Sequence, residues 1–274
     1  MPELPEVETI RAALEPLLVG RSVIDAAAHP SPKFAAAPEA VGHRIRAVRR
    51  RGKYLLADLQ PLSEARVGTV GRELVIHLGM TGHLGPDLDP DDPYVRARWH
   101  LDDGSALVYR DVRRFGRIAV VPAGDHRSLP TLAALGPEPF SAAFTPDGLW
   151  RALARSAIRV KTQLLGQRVV AGVGNIYADE ALWRARIHPA ARRVGRERAG
   201  RLHASVRGAL AVGLANGGTT LRDYRTPNGE EGRHQHALTC YGRAGQPCAR
   251  CGASLRRAVI DARGTTWCPT CQCR

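Results

Sequence analysis

Lysine is nearly absent from this chain: Lys33, Lys53 and Lys161 stand against 37 arginines. Arginine suits bidentate phosphate contacts, whereas lysine offers a compact charge and a titratable amine, so the three survivors are worth locating. A GC-rich genome would produce the same bias without any functional cause. Long hydrophobic runs are also missing. No stretch approaches 18 uninterrupted apolar residues, which excludes a membrane-spanning helix. The first 20 residues carry Glu3, Glu6, Glu8 and Glu15 and lack the basic start and apolar centre of a signal peptide. A soluble cytoplasmic protein is therefore expected. Acidic residues thin out after residue 150. Residues 1–150 hold 18 cationic and 19 acidic side chains, while residues 151–274 hold 22 and seven, so the formal charge of +14 lies in the second part. Such a distribution suits a surface that tracks a polyanion, with nucleic acid as the expected partner. No internal repeat is visible.

The 274 residues suffice for one large domain or two ordinary ones, and 44% hydrophobic content is that of a globular chain. Pro5–Leu18 reads as a helix, with Val7, Ile10, Leu14 and Leu17 at helical spacing and Gly20 as its stop. From Arg21 to about Val121 the pattern is one of short strands, including Tyr54–Leu59, Glu73–Leu78, Trp99–Leu101, Ala106–Tyr109 and Ile118–Val121. Asp103-Gly104 marks a hairpin turn between two of them. Many short strands with one helix predict a β-sandwich. Pro122–Pro139, with four prolines, reads as a hinge.

Thr145-Pro146-Asp147 then opens a helical region with an N-cap, a first-turn proline and an acid. Further helices are predicted over Lys161–Val170, Ile176–Arg186 and Arg196–Ala215, and Asn216–Leu238 reads as a long mobile loop.

Cys248-x2-Cys251 and Cys268-x2-Cys271 are separated by 16 residues, the pattern of a tetrahedral zinc site with four thiolate ligands. Two disulfides are the alternative, which a reducing compartment disfavours. Four protein sulfurs close the coordination shell, so one Zn2+ with a structural role is expected. Cys240 and Cys273 fall outside the spacing: the first suits a buried small hydrophobe, the second a tail. Arg256, Arg257 and Arg263 lie between the cysteine pairs, on the segment the metal would hold rigid. Gly172-Val173-Gly174-Asn175 separates two helical stretches. Asn175 is positioned to cap the second, leaving a turn suited to a phosphate.

The chain begins Met1-Pro2-Glu3-Leu4-Pro5-Glu6-Val7-Glu8. If Met1 is removed, Pro2 becomes a secondary amine. An α-amine titrates near about 8, so about a tenth is nucleophilic at neutral pH, far more than for a free lysine. Neighbouring acids would then serve as proton donors and acceptors. The plainer reading is a proline start followed by acids that favour the helix N-terminus.

This start, Arg51-Gly52-Lys53-Tyr54, His77-Leu78-Gly79-Met80, Arg113-Arg114-Phe115-Gly116, Gly172-Val173-Gly174-Asn175-Ile176-Tyr177 and the four cysteines occur in one order. Together, over nearly the whole chain, they resemble the bacterial formamidopyrimidine-DNA glycosylases. Pro-Glu-Leu-Pro places the chain nearer that branch than the related endonuclease VIII branch, which prefers oxidised pyrimidines. The resemblance implies an α+β fold: an N-terminal β-sandwich with flanking helix, then a helix–two-turns–helix domain with a zinc-finger β-hairpin, DNA lying between. The implied divisions are a catalytic domain over 1–130, the helical domain with a lesion-capping loop over 131–238, and the finger over 239–274.

The implied activity is excision of oxidised purines from damaged double-stranded DNA by a monomeric glycosylase that is also an AP lyase. Pro2 would be the nucleophile, Glu3 and Glu6 its acid partners, and Lys53 a phosphate contact beside the lesion. Met80, Arg113 and Phe115 would fill the void left by the everted base. His77, Lys161, Asn175, Tyr241 and Arg263 would meet DNA, and Thr219, Thr220 and Tyr224 would meet the base. Two other readings remain: a zinc-ribbon DNA-binding protein without chemistry, which gives Pro2 and Lys53 no role, and the same enzyme acting on oxidised pyrimidines.

Overall fold

The computed structural model describes residues 1–63, 71–86, 88, 89 and 91–273. The chain divides into two compact units: Met1–Ala133 with Gly217–Arg233, and Ala134–Asn216 with the chain from His234 onward. The first crossing falls within the proline-rich segment around residue 130.

In the first unit, α1 (Leu4–Leu18) lays Val7, Ile10, Leu14 and Leu18 against the sheet. Leu17, expected on that face, is 43% exposed; Leu18 takes the inward position one turn after Leu14. Among the described residues, eight antiparallel strands follow: β1 (Ser22–Ala28), β2 (His43–Arg51), β3 (Tyr54–Pro61), β4 (Arg72–His77), β5 (Gly82–Gly85), β6 (Val95–Leu101), β7 (Ala106–Asp111) and β8 (Arg117–Pro122). Their order is β5-β7-β6-β1-β2-β3-β4-β8.

The ends of this sheet curl together. Tyr109 Oη on β7 donates to Leu78 O just past β4 (3.3 Å), and Gly116 N before β8 donates to Asp111 Oδ2 (2.8 Å). The sheet thus folds over one core containing Phe34, Trp99, Tyr109 and Ile118. Trp99 satisfies its buried indole N–H on Ala37 O at 2.9 Å, as burial requires. A short α2 (Pro130–Ala133) closes the segment, its Thr131 hydroxyl bonded to Tyr54 Oη.

The second unit holds α3 (Pro146–Ala154), α4 (Val160–Leu165), α5 (Asn175–Arg184), α6 (Arg196–Ala215) and the hairpin β9 (Arg256–Ile260)–β10 (Arg263–Trp267). Thr145 caps α3 as predicted, accepting from Gly148 N at 3.0 Å. Helix α4 is shorter than the periodicity suggests, because Gly166 closes it and Gln167 turns left-handed (φ 57°). Similarly α5 stops at Arg184, and Arg186 adopts φ 58°. No helix among the described residues is long and apolar enough to cross a membrane.

Candidate catalytic centre and nucleic-acid interface

The acids after Pro2 are buried, and the start of α1 explains how. Glu3 occupies the N-cap and Glu6 the third helical position, and their side chains close a capping box. Glu6 Oε2 accepts from Glu3 N at 2.8 Å. Both residues are 2% exposed and Pro2 is buried with them. The arrangement fixes the backbone leaving Pro2 before any substrate arrives.

The turn carrying Lys53 is tied to the same helix. Glu8 Oε2 accepts from Arg50 Nε at 2.8 Å and Arg50 donates onward to Gly52 O at 3.1 Å. Gly52 has φ 56°, which reverses the chain between β2 and β3. Lys53 is itself 2% exposed. Tyr54 pairs across the sheet with His77, their rings 4.7 Å apart. Burial, and then the charge of Lys53, hold the His77 imidazole down at a pKa of about 4 against a partial opposing pull from Asp111. His77 is therefore neutral near pH 7, and its Nδ1 accepts from Gly79 N at 3.1 Å.

Two loops carrying Met80, Arg113 and Phe115 meet at one end of the sheet. Gly79 (φ 67°) passes so close to Phe115 and Gly116 that a Cβ there would lie 2.4 Å from Gly116 N, so only glycine fits. Asp111, fully buried, joins the loops: Thr81 Oγ1 donates to its Oδ1 at 2.6 Å and also accepts from Arg113 N at 3.2 Å. Phe115 is 49% exposed, and the Arg113 guanidinium lies 4.6 Å from its ring centre. An exposed phenylalanine held by a cation beside it is available to a partner rather than to the core.

The segment Gly217–Arg233 is not the loose loop its composition suggests. Thr219 N donates to Glu6 Oε1 at 2.7 Å, so one carboxylate holds both the protein start and this segment. Gly218 (φ 83°) permits that approach; a Cβ would sit 2.9 Å from Glu6 Cγ. Thr220 Oγ1 donates to Tyr224 O and accepts from Gly232 N, closing the neck. Tyr224 is buried in the sandwich core, and its hydroxyl donates to Gly217 O at 3.1 Å. Thr219, Thr220 and Tyr224 thus form the scaffold of the loop in this conformation. The exposed stretch between them is Leu221, Arg222 and Asp223.

In the second unit the glycine turn meets the hairpin. Gly174, in extended conformation, is the N-cap of α5, so Asn175 does not cap it as expected. Instead Asn175 Nδ2 donates to Gly264 O on β10 at 3.0 Å. Lys161, expected to touch DNA, is fully buried, so that assignment is corrected: its ammonium pairs with Asp179 at 2.6 Å and bonds Thr265 Oγ1 at 2.8 Å. Burial raises the Asp179 pKa while Lys161 pulls it down. Asp179 Oδ2 also accepts from Thr266 N at 2.9 Å. Arg263 is exposed at the start of β10, and half-buried Tyr241 donates its N–H to Glu180 Oε1 at 2.8 Å.

The ligand atoms of Cys248, Cys251, Cys268 and Cys271 all lie within 4.8 Å of one another, and Cys251 and Cys268 Sγ are 3.5 Å apart. Zn–S bonds of about 2.3 Å in a tetrahedron require sulfurs about 3.8 Å apart, so the cluster fits one structural zinc. Trp183 Nε1 donates to Cys248 Sγ at 3.4 Å, which seats the knuckle against α5. Cys240 is buried with its Sγ on Thr266 O, and Cys273 is exposed.

Sequence reasoning missed three carboxylates: Asp111, Asp179 and Glu180. Glu180 alone accepts from Thr239 N, Cys240 N and Tyr241 N. Their one signal was an acid inside an otherwise apolar strand or helix, where burial demands partners.

Residues 1–118 match the formamidopyrimidine-DNA glycosylase N-terminal domain, 135–225 its H2TH domain, and 245–273 the zinc finger found in FPG and IleRS. The formamidopyrimidine-DNA glycosylase of Deinococcus radiodurans is 46% identical over 99% of this chain and 97% of its own length. The solved MutM (FPG) protein of Thermus thermophilus superposes with a TM-score of 0.90 at 45% identity, covering 99% of this chain and 98% of that one. A Lactococcus lactis FPG mutant, solved with Fapy-dG-containing DNA, gives 0.86 at 33% identity over the full length of both chains. Three domain matches in this order, full-length identity above 30% and the four-sulfur cluster place the chain in the formamidopyrimidine-DNA glycosylase family of DNA repair proteins.

Proposed function

We propose that the protein removes oxidised purines, 8-oxoguanine and formamidopyrimidines, from damaged duplex DNA and then cleaves the abasic site. The observation that carries this reading is the buried Glu3–Glu6 pair directly after Pro2, with Glu6 also holding the Thr219 segment. Fapy-dG in the DNA of the Lactococcus lactis relative supports the substrate class.

In this mechanism Met1 is removed and the Pro2 nitrogen attacks C1′ of the damaged nucleotide. The C1′–N bond breaks and the base leaves with its electron pair. Glu3 protonates the ring oxygen as the sugar opens, giving an iminium between Pro2 and C1′. Loss of a C2′ proton then expels the 3′ phosphate, a second elimination expels the 5′ phosphate, and water releases the sugar fragment from Pro2. Lys53 contacts the phosphate beside the lesion. Met80, Arg113 and Phe115 occupy the space vacated by the everted base. His77, Asn175, Tyr241 and Arg263 meet the duplex, and the zinc, held by the four cysteines, keeps the hairpin rigid. We assign action as a monomer in the bacterial cytoplasm, on nucleoid DNA, with functional parts over 1–130, 131–238 and 239–274.

The test is borohydride trapping on a duplex containing 8-oxoguanine, with the protein N-terminus checked by mass spectrometry. An adduct mapped to Pro2 is expected. Absence of an adduct from Pro2-started, zinc-loaded protein, on this duplex and on an abasic one, would leave a DNA-binding protein without chemistry. A stronger response to thymine glycol would shift the substrate to oxidised pyrimidines.

A further inference from the structure

Among the described residues, strand β5 lies at the end of the sheet beside β7. The far end of the Gly217–Arg233 segment packs on one face of this strand, the face shared by residues 83 and 85. His83 Nε2 bonds Thr226 O at 3.1 Å. Two residues on, Gly85 lets the Pro227 backbone lie flat on the strand: a Cβ there would be 2.7 Å from Pro227 O and 3.2 Å from its Cα.

The part of the segment that docks is tied by its own hydrogen bonds. Thr226 N donates to Glu230 O, Gly229 N to Thr226 O, and Glu230 N to Thr226 Oγ1, forming a closed turn. Pro227 is buried. Burial holds the His83 pKa down, helped by Arg110 and Arg225, while its bond to Thr226 opposes this. The ring then presents one N–H to the Thr226 carbonyl.

The segment therefore has three attachments, one of them Tyr224, which is seated in the sandwich core. Its neck rests on Glu6 through Thr219, and its tip rests on β5 through His83 and Gly85. The exposed Leu221–Asp223 stretch hangs between the neck and Tyr224, and the tip contact at Thr226 follows two residues later. Loop freedom is lost at each tether, so the tip contact, two residues beyond Tyr224, adds to Tyr224 in setting the position of the crown.

We propose that His83 and Gly85 form a dock which fixes the crown Leu221–Asp223 over the base being removed, making them positioning residues for base discrimination. The inference rests on the glycosylase reading above, and specifically on that segment covering the everted base. It predicts that loosening the dock slows removal of a base the crown must hold, and leaves cleavage of a site without a base untouched.

The experiment compares His83→Ala, His83→Gln and Gly85→Val with the unaltered protein. Single-turnover rates are taken on 8-oxoguanine duplex and on abasic duplex, alongside tryptic cleavage at Arg222 and Arg225. His83→Ala and Gly85→Val are expected to slow 8-oxoguanine excision about tenfold, the weight of one lost hydrogen bond. Abasic cleavage should change less than twofold and tryptic cutting should accelerate. His83→Gln, which keeps a donor, should recover most of the rate. Equal losses on both substrates, or faster cutting with no change in excision, would overturn the positioning role, and unchanged cutting would overturn the dock. If the unaltered protein cleaves neither duplex, the glycosylase reading fails instead, and the tryptic pattern still reports on the dock.

Discussion

The two units bury acids for opposite ends. In the first unit Glu3, Glu6 and Asp111 shape the protein start and the loops carrying Met80, Arg113 and Phe115, on a scaffold whose cohesion is a large apolar core. In the second, Asp179 and Glu180 sit side by side on α5 and accept backbone N–H groups from the chain around the hairpin. The apolar cluster beneath the finger is small: Trp183, Leu255 and three cysteines, with Ala253 and Cys271 packed on it. A sandwich can be held by area; a short hairpin cannot and needs charge and metal instead. The lysines follow the same division. Lys53 stands among the residues of the proposed chemistry, whereas Lys161 is structural.

That contrast is open to direct attack, and zinc removal is the strongest blow. Stripping the metal withdraws about 10 kcal/mol or more from the finger. Chelation should abolish DNA binding and the near-ultraviolet signal of Trp183 and Trp267 while the sandwich still melts cooperatively. Simultaneous loss of both would show that the units are not independent.

Lys53→Ala comes next, expected to slow single-turnover excision about a hundredfold or more, in the range of lost charge stabilisation at a reacting centre. The melting temperature should move little by comparison, and an unchanged rate would remove Lys53 from the proposed site. Lys161→Ala should do the reverse. Leaving Asp179 buried without its cation costs about 3 to 5 kcal/mol of stability in the second unit. Replacing both residues by Met and Leu should recover most of it, which denaturant titrations of the unaltered protein, Lys161→Ala and the double variant would reveal. If the double change is no better than Lys161→Ala, the pair's contribution is not electrostatic.

The smallest effect is a slope. His77 drops from its ordinary 6.5 to about 4 in the folded protein, chiefly through burial. Between those values the unfolded chain binds a proton that the folded chain refuses. Stability from this group is therefore intact above pH 6.5 and declines as the pH falls toward 4. His77→Gln should flatten the denaturation midpoint over that window, and an unaltered slope would assign the decline to other groups.

What the sequence alone determined is local or compositional. The 3.6-residue period set α1 and α6, and Thr145-Pro146-Asp147 set the start of α3. Cysteine spacing is itself the geometry of a zinc knuckle, and charge counts need no coordinates. What only tertiary structure decided depends on contacts between distant positions, which no local pattern encodes. Glu6 and Thr219 are 213 residues apart in sequence, yet one hydrogen bond joins them. Asn175 looked like a cap, but α5 begins with Asn175 itself and Gly174 is its N-cap, while the Asn175 amide donates to the Gly264 carbonyl on β10. Lys161 looked like a phosphate contact, but a cation can be buried where a carboxylate such as Asp179 faces it. Leu17 and Leu18 were equivalent in hydrophobicity, and only the surface that α1 covers chose between them.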